Sequence, residues 1–334
     1  MKFEFDDQQL DLAASAKRLF ARYASPAAIR ASWDDPIGRS PELWRGIVEL
    51  GLPSVLIPEE YDGAGGSLLD LCPTLEEIGR GGVPDALVEG LVVAPLALSL
   101  ATAEPWLPDV AAGSVRATAA LYGLDAVPDA HVSDLIVGLV DGELTILTRD
   151  DRDDEAVCSM DQSRRLFCVV PRRGAGTPLG ADADTVAQLR AVQHVANALV
   201  LVGLSQTMLD RTIDYVQIRK QFGRLIGSFQ GVKHQLAHAV SLVAMARLAA
   251  QAAAARVVDG EAIAGRSARY ARICAGDAAR EANRVTLQLH GGIGFTWEND
   301  LQIWLKRGKA LEQADGGRAA LTRGAGRELI ASLA

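Results

Sequence analysis

The spacing of apolar positions along this 334-residue chain changes twice, and the changes divide it into three stretches. Residues 1–113 carry apolar side chains at helical spacing, interrupted by the breakers Pro36-Ile-Gly38, Gly63-Ala-Gly-Gly66 and Gly81-Gly82. Ser40 ahead of Pro41 and Glu42 predicts a helix start, with the hydroxyl as cap and proline in the first helical position. Residues 114–180 switch to short strand-like runs at Ala117–Tyr122, Leu135–Val140, Leu144–Thr148 and Leu166–Val170, and Asp141-Gly142 predicts a hairpin turn between two of them. Residues 181–334 return to alanine- and leucine-rich helix. One helix is predicted to run to about Ile218, a second from about Phe229 to Val258 and a third from about Ala262 to His290, with shorter ones over Leu301–Leu311 and Arg318–Leu333. Val232, Leu236, Val240 and Val243 predict one buried stripe on the second of these. The expected fold is mainly α: an N-terminal helical domain, a reduced middle β domain and a C-terminal four-helix bundle.

Composition narrows the role of such a chain. A net charge of -8 argues against binding nucleic acid or membrane surfaces in general. Cys72, Cys158, Cys168 and Cys274 show no CxxC spacing and have mostly apolar neighbours, which predicts buried free thiols in a reducing, cytoplasmic setting. The N-terminal residues lack the apolar core of a signal peptide, and no apolar run reaches membrane-spanning length without a charge or glycine, so membrane insertion is not expected. His234 and His238 share a helical face, but with no third ligand in view the expectation is packing and no metal. Arg164-Arg165 and Arg172-Arg173 are expected on solvated turns, and Trp297 and Trp304 in packing contacts.

Two segments carry candidate chemistry. Arg219-Lys-Gln-Phe-Gly-Arg-Leu-Ile-Gly-Ser-Phe-Gln230 and Gln288-Leu-His-Gly-Gly-Ile-Gly-Phe295 each interrupt long helix with glycines and hydrogen-bonding side chains. Arg219 and Gln221 can reach phosphate oxygens, Phe222 offers an aromatic face, and Gly291, Gly292 and Gly294 let backbone approach a bulky anion. Together, and in this order, they resemble the acyl-CoA dehydrogenase family. There the two motifs grip the pyrophosphate and adenine half of an FAD belonging mainly to a neighbouring subunit. The resemblance makes Arg219, Gln221, Phe222, Gln230, Gln288, Gly291 and Gly292 the candidate cofactor-binding residues, with His290 near the adenine end. Gly51-Leu-Pro-Ser-Val-Leu-Ile-Pro-Glu-Glu-Tyr-Asp-Gly-Ala-Gly-Gly66 and Glu76-Glu77-Ile-Gly-Arg80 extend it to the first hundred or so residues.

That family oxidises a CoA thioester between its α and β carbons, which requires a carboxylate to take the α proton. In many members the base is a Glu followed by Gly-Thr, and Asp315-Gly316-Gly317 stands at that place here. The missing methylene withdraws the carboxylate by roughly 1.5 Å, and a misplacement near 1 Å can cost about a hundredfold in rate. Asp315 is therefore either the base, a vestige of it, or a cap of the final helix. Where a minority of members carry Glu-Arg, this chain has the uncharged Gln193-His194. The ring-covering Thr-Glu-Pro-x-Ala-Gly-Ser-Asp and Trp-Ile-Thr-Asn segments are missing: Leu121-Tyr-Gly-Leu-Asp-Ala-Val-Pro128 stands near the first and nothing stands for the second. A good donor half with a poor acceptor half looks like the short subunit of a heteromeric, steroid-degrading acyl-CoA dehydrogenase. The resemblance thus implies FAD, a bulky acyl-CoA substrate, a second acyl-CoA dehydrogenase subunit in a heterotetramer and an electron-transfer acceptor. Two alternatives stay open: a self-sufficient homotetramer with Asp315 as base, and a non-catalytic scaffold subunit.

Overall fold

Breakers and caps set the N-terminal helices. The computed structural model describes residues 4–101 and 103–331. Asp6 and Gln9 cap α1 (Asp7–Tyr23) reciprocally, each side chain bonding the other's backbone N–H. Ser25 caps α2 (Pro26–Asp34), and Ser40 Oγ accepts from Leu43 N at 3.1 Å to start α3 (Pro41–Glu49) at the predicted place. The helix α4 (Leu68–Gly81) ends at Gly82 in the left-handed conformation, φ 60°. A π-helical turn, Glu89–Val93, leads into α5 (Ala94–Leu100), and α6 (Leu107–Ala111) closes the stretch.

The strands form two small sheets. One holds β1 (Ala117–Ala120), β3 (Leu135–Val140), β4 (Glu143–Thr148) and β7 (Thr177–Pro178), in the order β1-β3-β4-β7; the other pairs β2 (Val127–Pro128) with β6 (Leu166–Pro171) and β6 with β5 (Arg152–Val157). The predicted hairpin joins β3 to β4, with Asp141 and Gly142 both at positive φ (51° and 88°). β5 went unforeseen because it reads Arg-Asp-Asp-Glu-Ala-Val, with only Arg152 buried. Such charge is how an edge strand is kept from pairing further.

Ala120, Val127, Ile136, Leu147 and Val169 pack between the sheets, Leu135, Val137, Leu144 and Ile146 join the main core, and buried charge adds to the hold on neighbouring elements. Arg39, ahead of α3, pairs with Asp129, which also accepts from Ala86 N at 2.8 Å. Arg165 reaches the carbonyls of Ser32, Trp33 and Asp35 at 2.9, 3.1 and 2.7 Å, so it is a clamp between domains and not the solvated residue expected.

The C-terminal bundle is built from α7 (Ala183–Ile218), α8 (Gln230–Val258), α9 (Ala264–His290) and α10 (Leu301–Gln313), with α11 (Gly317–Ala331) against α9. The predicted end at Leu333 lies outside the described residues. Arg307 on α10 pairs with Asp161 of the sheet domain and donates to Val83 O. α7 crosses α4 at two glycines. A Cβ at Gly79 would stand 2.1 Å from Val200 O, and one at Gly203 2.0 Å from Glu76 O, so only glycine allows this approach. The buried stripe of α8 is Leu236, Ala239, Val243, Ala246 and Ala250; Val240 is exposed, against expectation, because small alanines set the contact with α9. Two helices, α7 and α8, are long and apolar enough to cross a membrane by length and composition, and 89% of the apolar window of α7 is buried in the fold.

Candidate functional site

The two glycine-broken segments meet at one end of the bundle. α7 stops at Arg219, whose extended backbone (φ -72°, ψ 128°) opens the hairpin of β8 (Lys220–Gln221) and β9 (Arg224–Leu225). Phe222 and Gly223 turn it with φ of 53° and 76°. A bulky residue with positive φ is strained. Phe222 is nonetheless 92% exposed, touching Phe229 edge-on at 6.2 Å, while the Arg224 guanidinium lies 3.9 Å over the Phe229 ring. Tyr215, one turn before Arg219, stacks on His290 at 4.4 Å, and Thr212 bonds Thr286 at 3.1 Å, which brings the C-terminal ends of α7 and α9 together. Gln230 sits at the first turn of α8 at the same end.

Arg219, Gln221, Phe222, Gln230, Gln288, Gly291 and Gly292 are all exposed there. The side chains of Arg219, Gln230 and Gln288 make no hydrogen bond or ion pair among the described residues, and a Cβ at Gly291 or Gly292 would meet nothing within 4 Å. A free guanidinium, free amides and bare backbone make a donor set suited to a pyrophosphate. His290, buried under Tyr215 and bonded through Nδ1 to Thr286 O at 2.9 Å, supports the turn rather than facing outward.

A second constellation lies inside. A cavity of about 490 Å³ is lined by residues that include Glu89, Tyr122, Arg164, Gln193, Lys309 and Asp315. The tight turn after α10 holds Asp315 at φ 61°, and its Oδ2 accepts from Asn197 Nδ2 at 3.4 Å. Burial pushes the Asp315 carboxyl above its ordinary value, against the opposing charges of Arg272 and Arg164. Glu89, on the π-helical turn, is raised by burial in the same way, with the Arg164 guanidinium 3.9 Å away. Sequence reasoning missed Glu89; the available signal was a single charge in the apolar run Ala86–Leu100. The short Leu121–Pro128 segment does reach the cavity wall, through Leu121, Tyr122 and Pro128.

His194 has no catalytic geometry. Its Nε2 bonds Tyr122 OH at 3.0 Å, and burial, aided by Arg272, Arg269 and Arg190, pushes its pKa down to about 3. Its folded pKa is depressed, so the unfolded chain binds more protons between about pH 3 and the ordinary value near 6.5. Stability from this group is complete above about pH 6.5 and falls by about 1.4 kcal/mol per pH unit below it. Replacing His194 with Gln should flatten that limb in urea titrations run at pH 4.5–6.5 (roughly the window those values define), and an unchanged slope would refute this assignment.

A further cavity, of about 730 Å³, lies beside the first half of α7, with Leu56, Leu68, Leu96, Leu100, Leu189 and Val192 in its wall. The remaining expectations divide. The cysteines are free, but Cys158 and Cys274 are exposed rather than buried. His234 and His238 are exposed instead of packed, and no group of metal-ligating side chains occurs among the described residues. Trp304 is buried, its Nε1 donating to Arg80 O at 2.9 Å; Trp297 is 60% exposed and meets Trp33 edge-on at 6.2 Å.

A helical domain, a small sheet domain and a helical bundle follow one another in the chain, and this order is that of a known class of flavoprotein dehydrogenases. Residues 6–114 match the model of the acyl-CoA dehydrogenase N-terminal domain and residues 188–330 that of its C-terminal domain. The chain is 37% identical over 306 residues to the acyl-CoA dehydrogenase IpdE2 of Mycolicibacterium smegmatis, covering 89% of this chain and 91% of that one. It is likewise 37% identical over 297 residues to IpdE2 of Mycobacterium tuberculosis, covering 86% and 87%. Among solved structures it superposes on the Tcur3481-Tcur3483 steroid ACAD G363A variant with a TM-score of 0.89, 27% identity and 98% of both chains covered. The ChsE4-ChsE5 complex of Mycobacterium tuberculosis shares the fold, with a TM-score of 0.90, 23% identity and 99% of both chains covered. The chain belongs to the acyl-CoA dehydrogenase family, a family of FAD-dependent oxidoreductases.

Proposed function

We propose that this chain is the short subunit of a heteromeric, cytoplasmic acyl-CoA dehydrogenase, giving the adenine and pyrophosphate half-site for FAD to a partner subunit that carries the catalytic Glu. The observation that carries the loan of a half-site to a neighbouring chain is a distance. Asn197, which touches Asp315, and Arg219 lie on one continuous helix, and at 1.5 Å per residue they are about 33 Å apart. From ring nitrogen to far phosphorus an extended flavin dinucleotide counts about nine bonds, roughly 12 Å at about 1.3 Å of advance per bond. One FAD therefore cannot engage both Arg219 and the Asp315 cavity of the same chain.

The residues fit the nucleotide half of the cofactor and not the whole of it. Unpaired donors and open glycines suit a pyrophosphate, whereas at the inner cavity the Leu121–Pro128 and Cys158–Met160 segments stand where the ring-covering segments are missing. That asymmetry, with Asp315 on a short arm, favours a different chain as neighbour. The exposed apolar side chains Val240, Met245 and Leu248 on α8 suit a subunit contact. Relatives named as paired chains, one of them a steroid dehydrogenase, point the same way.

Bound FAD supplies the hydride acceptor for α,β-dehydrogenation of the thioester. This chain's part is to hold the dinucleotide by Arg219, Gln221, Gln230 and Gln288 and by the Gly291-Gly292 backbone, with Phe222 against the adenine half. The 730 Å³ cavity, where Leu56, Leu68, Leu96, Leu100, Leu189 and Val192 stand beside Asp184, Gln188 and Glu261, has room for a bulky, polycyclic acyl group. The self-sufficient homotetramer has one observation in its favour, since Asp315 does line a cavity of its own.

Purifying the chain with and without the product of an adjacent dehydrogenase gene, and measuring flavin per chain, separates the readings. Flavin is expected only on co-expression. A ratio near one for the isolated chain would overturn the heteromer.

A further inference from the structure

A small space of about 30 Å³ is lined by Asp85, Glu89, Asp129, Arg164, Asn197 and Arg307, among others. Three of these carry buried polar atoms with no protein partner: Asp85 Oδ2, Asn197 Oδ1 and Arg307 Nη2. The residues are 3%, 1% and 7% exposed. They come from different parts of the chain, the loop after α4, the middle of α7, and α10. Leaving three such atoms unpaired at one place is costly. The space is sufficient for one water, and a buried water makes about three hydrogen bonds. Donors and acceptors match: the carboxylate and amide oxygens each accept one water O–H, and the guanidinium donates to the water oxygen.

We propose that this space is a built site for one ordered water that braces Asp85, Asn197 and Arg307, and that Asn197 is thereby a positioning residue for Asp315. With the water donating to Oδ1, the amide is held with Nδ2 toward Asp315 Oδ2, the contact observed at 3.4 Å. The flipped amide would turn its oxygen on the Asp315 carboxylate, acceptor against acceptor. The brace therefore fixes how the Asp315 carboxyl stands in the wall of the larger cavity, whichever chain encloses the flavin ring.

A crystal structure of the chain in complex with its partner dehydrogenase subunit, at a resolution that resolves waters, tests the site directly. The expected result is a water within hydrogen-bond distance of all three atoms in every copy. Direct pairing of Arg307 with Asp85, or an empty space, would overturn it. The positioning role has its own readout: the pH midpoint of carbodiimide labelling at Asp315, followed by mass spectrometry. Asn197→Leu removes the donor to the carboxylate and leaves Arg164, Arg190, Arg272 and Glu89, which also act on Asp315, in place. The midpoint should rise by about one unit, and an unmoved midpoint would refute the positioning role. Should that variant not fold, the wild-type map alone decides whether the water is there.

Discussion

Arg219→Ala in the co-expressed complex is expected to weaken the hold on FAD by about 10- to 150-fold, because a hydrogen bond to a charged group contributes about 1.5–3 kcal/mol. The side chain is exposed and without a partner among the described residues, so its removal disturbs no packing. The chain should fold and assemble as before, and the deficit should appear in visible flavin absorbance per complex after exhaustive dialysis. Arg219→Lys should recover part of the affinity, since an ammonium keeps the charge but not the two-pronged geometry. Arg318→Ala serves as control: that exposed guanidinium is paired with Asp277 on α9, and losing it should leave flavin content alone. Flavin content equal to wild type in Arg219→Ala would favour the scaffold reading, in which this chain only stabilises its neighbour.

Asp129→Asn should destabilise the fold by about 3–5 kcal/mol, the usual consequence of leaving one member of a buried ion pair unmatched. Asn preserves shape and tolerates the left-handed backbone that Asp129 adopts (φ 56°), and it removes the charge together with one acceptor, since both carboxylate oxygens accept from Arg39. What remains is Arg39, 8% exposed, with its guanidinium facing a neutral amide. Urea midpoints at fixed protein concentration measure the loss. Adding Arg39→Met should recover most of it, because an apolar replacement of both charges removes the desolvation penalty. The pH dependence has a definite sign. Burial alone would raise Asp129, but the Arg39 charge and its hydrogen bonds outweigh that and hold the carboxyl below its ordinary value. The group therefore contributes stability above the normal carboxylate range and loses it as pH falls through the depressed value. Asp129→Asn should lack that acid limb.

Much of the architecture was legible because α7, α8 and α9 are long alanine- and leucine-rich runs ended by Arg219, Asp259-Gly260 and Gly291, where local propensity and packing agree. The β3–β4 hairpin was legible for a like reason, an Asp-Gly turn between two apolar runs. β5 was not, since an edge strand that is polar on both faces gives no alternation to read. Exposure of Val240, Cys158 and Cys274 could not be foreseen either, because an apolar or sulfur side chain reads alike whether it meets a neighbouring helix or solvent.

The sequence by itself determined the helical ends and the two glycine-broken segments, because each depends on backbone chemistry within a dozen or so neighbours. Only the tertiary structure decided that Arg219 and Gln288 share one outward face while Glu89, Tyr122, Gln193 and Asp315 share an inward cavity at the far reach of the same helix. Those groupings follow from which long helices pack together and where glycines let them cross. Residues hundreds of positions apart become neighbours through packing, which no local pattern encodes.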